Sequence, residues 1–510
     1  MPTRLPSFWI KVALALGLVL GADLLFVGAL GAGLNLGLFS LAFAAALGLS
    51  NPAIRRHRLA LIALTAAGLL AALQIERASV LGWLLFALAL AVAALAPRAP
   101  AGDDGWRWAQ RLVAGGVKAL IGPALDLRAL LKARARRGPV KIAVAIVGAL
   151  LPLVGGAVFL GLFAAANPVI EAQLGAIYLG EPDPPRLIFW AVVGVVVWAV
   201  LRPRGLRRTF RTPGLDGDLD IPGVTTASVA VSLALFNLIF AVQNALDIAF
   251  LWSGAGLPPG VTFADYAHRG AYPLIATAIL AGLFVLAFLR PGSASAGSRG
   301  VRMLVTVWIA QNLFLVASTA LRTLDYIDAY SLTRMRLAAL LWMALVALGL
   351  VLITWRLLRA KSAGWLINAN LLAAGLVLAA CSVVDLGSIA AAWNVRHARE
   401  VGGRGVNLDL CYMRSLGGAA VVPLTRIEHG GYDPAFLERV AFTRRVLMAE
   451  VAERQADWRS WRWRDARRIA WAELNVYETP AMPDLRGRDC HGYLRPAAAP
   501  PLTPTPNPGT

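Results

Sequence analysis

Residues 337–355 read LAALLWMALVALGLVLITW, nineteen positions without a charge. At about 1.5 Å of rise per residue, a helix of that length spans the hydrocarbon core of a bilayer, roughly 30 Å thick. A helix on the surface of a soluble domain keeps a polar face for water, and this one has none. Outward from it the same pattern recurs. Apolar runs occupy 8–31, 34–50, 59–76, 79–96, 142–166, 187–201, 224–250, 271–290, 303–321 and 364–384. The fold expected is all-α: a polytopic transmembrane helix bundle of about eleven spans, followed by a small, largely helical extramembrane region. Bulk composition points the same way. Hydrophobic residues are 58% of the chain and charged residues 15%, against about 25% charged in soluble domains. The first run continues past residue 25 toward a second apolar segment, so it reads as an uncleaved span and not a signal peptide.

The net charge of +20 would suggest nucleic acid in a soluble protein. Here the cations fall in every second connection between apolar runs. With the N-terminus inside, the inside connections together with the run ends beside them (Lys11 and Arg290) hold 26 Lys and Arg and the outside connections six. That asymmetry is the positive-inside rule. It predicts a multi-pass protein of a bacterial inner (plasma) membrane, N-terminus cytoplasmic and C-terminus periplasmic, with no nucleic-acid partner. Arg outnumbers Lys by 44 to 5, a bias of GC-rich bacterial genomes.

The chain divides into 1–96 (four N-terminal spans), 97–141 (a basic amphipathic cytoplasmic loop), 142–385 (a seven-helix membrane region), 386–495 (an extramembrane part) and 496–510. The last fifteen residues contain six prolines and are expected to be disordered. The loop 97–141 carries ten Lys and Arg beside Trp106 and Trp108. Its expected partners are the lipid bilayer, anionic lipid in particular, and other membrane proteins. In 386–495, Asp433-Pro434 opens a helix that is expected to run on through Trp458-Arg459-Ser460-Trp461-Arg462-Trp463-Arg464. It would put Trp458 and Trp461 on one face as interface anchors. Cys411 and Cys490, if periplasmic, are a possible disulfide.

No phosphate-binding glycine loop, zinc-binding H-E-x-x-H or kinase signature occurs. With five histidines and no ligand spacing, neither metal nor cofactor is expected. The G-x-x-x-G pairs Gly17…Gly21 and Gly33…Gly37 read as close-packing devices. Polar groups within spans are costly unless partnered, so they are the best pointers to function. Asn237, Asn244 and Asp247 share a helical face, as do Gln311, Ser318 and Arg322, and Asp247 and Arg322 approach the same outer side. Asn237, Asn244, Asp247, Gln311 and Arg322 form the candidate intramembrane site. The connection after them holds a candidate outer-face site of Asp325, Asp328, Tyr330, Arg334 and Arg336. There two carboxylates three apart suit acid/base or cation chemistry; a salt-bridged turn with Tyr anchors is the plainer alternative. Asp23 and Asp385, single acids near helix ends, are expected to be solvated.

Several motifs carry a resemblance. They are Ala165-Ala166-Asn167-Pro168-Val169-Ile170, Tyr266-Ala267-His268-Arg269-Gly270-Ala271-Tyr272-Pro273-Leu274, Tyr330-Ser331-Leu332-Thr333-Arg334-Met335-Arg336, Trp393-Asn394-Val395, and Leu408-Asp409-Leu410 with Ser415-Leu416-Gly417. Over residues 130–470 the chain resembles the bacterial domain-of-unknown-function family 4173, a relative of family 4153, whose pattern has Gly at the position of Ser331. The resemblance implies an integral membrane protein and brings no reaction or catalytic residue. Three functional readings follow: a non-enzymatic envelope-associated or scaffold component, a transporter or channel along the intramembrane polar residues, and a membrane-embedded enzyme acting on a lipid or envelope precursor.

Overall fold

The computed structural model describes residues 5–100, 102–135, 184–204, 210, 225–253, 293–476 and 488–494, with five single positions between 277 and 288. The run expected at 142–166, most of that at 271–290, the first two resemblance motifs and the Pro-rich tail lie outside the described residues. The described chain is all-α, and its one β-type pairing is an isolated bridge between Arg488 and Leu494. Among the described residues, eight helices are long and apolar enough to cross a membrane. The chain folds as two compact units, Met1–Arg211 and Thr212–Thr510.

The first unit contains α1 (Leu5–Phe26), α2 (Leu34–Ser50), α3 (Arg58–Glu76), α4 (Val80–Leu95), α5 (Gly105–Ala135) and α6 (Pro184–Leu201). Its packing surface is made of small residues. Ala60, Ala63, Ala67 and Ala71 form a buried stripe along α3, while Ile62 and Leu69 of the same helix are exposed. Between helices in lipid there is no hydrophobic driving force, so close approach of small side chains holds them. Gly37 is where this matters most: a Cβ there would come 3.2 Å from the Ala71 carbonyl oxygen. Gly17 and Gly21 meet no packing neighbour among the described residues. Asp23, expected to be solvated, is instead buried and takes Arg186 Nε at 2.7 Å and Trp190 Nε1 at 2.8 Å. A charge at that depth persists only when paired.

The second unit contains α7 (Thr226–Asp247), a single π-helical stretch (Ile248–Trp252), α8 (Arg299–Tyr330), α9 (Arg334–Leu358) and α10 (Ala363–Val383). The helical module that follows comprises α11 (Leu386–His397), α12 (Leu410–Ser415), α13 (Gly418–Glu428), α14 (Pro434–Ala456) and α15 (Trp463–Val476). The spans bury few large side chains and expose Leu, Val and Trp, whereas the module has a core of soluble type built on Leu410, Met413, Leu424, Phe436, Val440 and Leu447. Two readings of the sequence are corrected here. First, α8 runs on to Tyr330, so Arg322, Asp325 and Asp328 are helical and the connection shrinks to Ser331–Thr333. Second, the helix opened by Asp433 ends at Ala456. Asp457 leaves the helical region and its carboxylate accepts from Arg459 N at 3.1 Å, which starts a separate turn. Trp458 and Trp461 therefore do not share one helical face.

Candidate functional site

The intramembrane polar residues assemble along one seam between α7 and α8. Asn237 Nδ2 donates to the Leu304 carbonyl at 3.0 Å, and Gln311 Nε2 donates to Asn237 Oδ1 at 2.9 Å. One further rung along, Asn244 Nδ2 reaches the Gln311 carbonyl at 3.3 Å. Beyond it Trp252 Nε1 donates to Ser318 Oγ at 3.0 Å. The partners advance together along both helices, so α7 and α8 run in the same direction. Arg322 reaches back along the seam to pair with Asp247, which also accepts from Gln243 Nε2 at 3.1 Å. Both members of that ion pair are buried.

Asn244 Oδ1, Asp247 Oδ2 and Gln311 Oε1 are buried and accept no hydrogen bond among the described residues. The candidate site left out Gln243 and Ser318, and sequence reasoning missed Trp252. Trp252 was invisible because a Trp at a span end reads as an interface anchor.

The outer-face residues do not converge. Asp325 is half-buried and Asp328 exposed, one turn apart on α8, with no ionic partner among the described residues. Arg336 instead stacks over the Tyr326 ring, 4.0 Å from its centroid, and donates to the Tyr330 and Ser331 carbonyls. Arg334 turns to the helical module: its backbone N–H meets Tyr412 Oη at 2.8 Å and its guanidinium meets the Leu416 carbonyl at 3.1 Å. The two arginines thus cap backbone and bind the module, and no ion pair joins this turn among the described residues.

Asn394 is the residue that organises this junction. Its Oδ1 accepts from Leu332 N at 2.7 Å and its Nδ2 donates to Leu332 O at 3.0 Å, so one buried amide mimics a strand partner for the turn. Trp393-Asn394-Val395 was noticed as a motif, but its partner lies 62 residues away. At the same end of the bundle Asp385, expected to be solvated, caps α11 through Gly387 N at 3.0 Å and pairs with Arg468 of α15. Arg464 donates to the Val383 carbonyl at 3.2 Å, tying α15 to the end of α10. Cys411 and Cys490 are joined by a disulfide with Cα atoms 4.9 Å apart, which fastens residues 488–494 to the module. Cys381 is a free thiol.

Residues 59–427 match the family model described as domain of unknown function (DUF4153). The chain belongs to that family. The DUF4153 match shifts the resemblance from family 4173 to its relative and extends it toward the N-terminus, to the start of α3. The seam, the Ser331 turn and Asn394 all fall inside the DUF4153 region, whereas α14, α15 and Cys490 follow it. No curated protein and no solved structure matches the chain.

Proposed function

We propose that this membrane protein is a non-enzymatic scaffold of the bacterial inner membrane that holds its C-terminal helical module on the periplasmic side. The observation that carries the reading is how the polar side chains are used. Asn237, Gln311, Asn244 and Trp252 each donate a hydrogen bond across the seam, and Arg334, Asn394 and Arg468 fix the module to the ends of the spans. Polar groups so committed act as packing glue. The charge asymmetry supports a cytoplasmic N-terminus. The disulfide supports a periplasmic module, because such bonds persist in oxidising compartments. The motifs place the protein near family 4173 as well, and anionic lipid remains the proposed partner of the basic loop 97–141.

A second reading, transport along the seam, is favoured by the three buried oxygens that accept no hydrogen bond among the described residues. One experiment separates the two. In a deletion strain monitored for envelope stress, the neutral pair Asp247→Asn/Arg322→Gln complements like wild type if the seam is glue, since a buried ion pair is replaceable. Loss of complementation by a normally expressed, membrane-inserted variant overturns the scaffold reading and supports transport.

A further inference from the structure

A second cluster of charge lies in the first unit, where one end of α1, the end of α4, the middle of α5 and the end of α6 come together. Asp126 of α5 is buried and accepts from Trp198 Nε1 at 2.9 Å and from Arg202 at 3.2 Å, and it pairs with Arg204 too. Arg202 also stacks over the Phe8 ring of α1, 5.2 Å from its centroid, and Phe8 meets Trp198 edge to face. A Cβ at Gly122 would collide with the Arg204 guanidinium, so the glycine makes room for it. Lys11 lies one turn after Phe8 on α1, and Ala94 and Ala96, just before Arg98, belong to the same buried cluster as Val197 and Leu201 of α6. Arg98 gives one donor to the Ala94 carbonyl at 3.0 Å, and no carboxylate pairs with Lys11 or Arg98 among the described residues.

The charge balance is therefore uneven. Lys11, Arg98, Arg202 and Arg204 bring four cations to a place that holds, among the described residues, one carboxylate, Asp126. Like charges brought together in a partly desolvated site repel, and the three left over call for an anion. Guanidinium groups suit the oxygens of a phosphate, which take paired donors. All four cations sit at the helix ends that the charge asymmetry assigns to the cytoplasm, where headgroups of anionic lipids lie and where basic pockets between spans bind them. Trp198 and Phe8 supply apolar surface beside the cations, as an amphiphile requires.

We propose that Lys11, Arg98, Arg202 and Arg204 form a binding site for a phosphate group, carried by an anionic lipid of the inner leaflet or free in solution. The inference does not rest on the scaffold reading. It names a discrete site between helices, distinct from general attraction of lipid by the loop 97–141.

The test uses the full-length protein purified in neutral detergent, with two probes. Phosphatidylglycerol, compared with phosphatidylcholine, is added for native mass spectrometry, and inorganic phosphate is titrated by calorimetry. The wild type is expected to retain phosphatidylglycerol over phosphatidylcholine. The pair Lys11→Gln/Arg98→Gln is expected to weaken that binding about fivefold per charge, so about thirtyfold in all. Lys11→Arg, which keeps the charge, should bind as wild type. Arg299→Gln/Arg302→Gln, two exposed cations of the second unit, should change little. Binding of inorganic phosphate with the same dependence on Lys11 and Arg98 also supports the site and assigns it to a soluble anion. Binding of neither probe overturns the proposal, as does equal loss in the Arg299/Arg302 control. A helical circular dichroism spectrum and an unchanged thermal midpoint keep a misfolded variant from counting as a result.

Discussion

Ser331 closes α8 at φ 70° and ψ 169°, a region of backbone space that belongs almost entirely to glycine. A non-glycine residue held there costs about 1–3 kcal/mol, and it survives only because its surroundings over-determine it. Those surroundings are visible: Arg336 holds the Tyr330 and Ser331 carbonyls, Asn394 clamps Leu332 from both sides, and Thr333 caps α9 through Arg336 N at 3.2 Å. Replacing Ser331 by Gly removes the Cβ clash but returns about 0.4–1 kcal/mol to the unfolded chain as backbone freedom. The balance is a gain of about 1 kcal/mol, or about fivefold in the local opening equilibrium. Ser331→Ala keeps the Cβ and loses no hydroxyl hydrogen bond, so it should lie within about 0.5 kcal/mol of wild type. Ser331→Val, branched at Cβ, should be the least stable. Amide hydrogen exchange over residues 330–340 of the purified protein reads this opening directly. The expected order of protection is Gly, then Ser and Ala together, then Val. If Gly protects no better than Ala, the backbone argument fails.

Three other outcomes follow from the same structure. Asp247→Ala leaves the buried Arg322 without its carboxylate and should cost about 3–5 kcal/mol, most of it recovered in Asp247→Asn/Arg322→Gln; a double-mutant cycle in detergent showing no coupling would refute the pairing. Asn394→Leu strips Leu332 of both its partners, a loss of about 2–3 kcal/mol, and should speed proteolytic release of the module; an unchanged digestion pattern would count against the clamp. The Cys411–Cys490 bond closes 79 residues of chain, worth about 4 kcal/mol in the chain-entropy account. A membrane-impermeant maleimide should label both cysteines from the periplasm only after reduction, and labelling without reductant would show them to be free thiols.

Part of the candidate site was legible before any coordinates. Asn237, Asn244 and Asp247 at spacings of seven and three had to share a face, and Gln311 and Arg322 likewise, because helical periodicity is local. The outer-face cluster was misread for the same reason. Asp325, Asp328, Arg334 and Arg336 are neighbours in sequence, yet α8 continues through the acids, and the turn at Ser331 sends Arg334 to the helical module and Arg336 onto the Tyr326 ring. Asn394 lay in a recognised motif, but nothing in that motif names Leu332. The single-acid readings of Asp23 and Asp385 failed because their partners, Arg186 and Arg468, are 163 and 83 residues distant.

The sequence by itself determined that the chain is a helical membrane protein with several segments apolar enough to cross. Solvation by lipid is a property each segment satisfies alone, through its length and the absence of charge. The alternation of cations between connections likewise needs only the chain order. What the tertiary structure decided is which polar groups meet: Asp247 with Arg322, Asn394 with Leu332, Asp126 with Arg202 and Arg204. Those pairings depend on which helices are neighbours and how each is rotated. An apolar span surface encodes that weakly, since lipid and another helix offer it nearly the same environment.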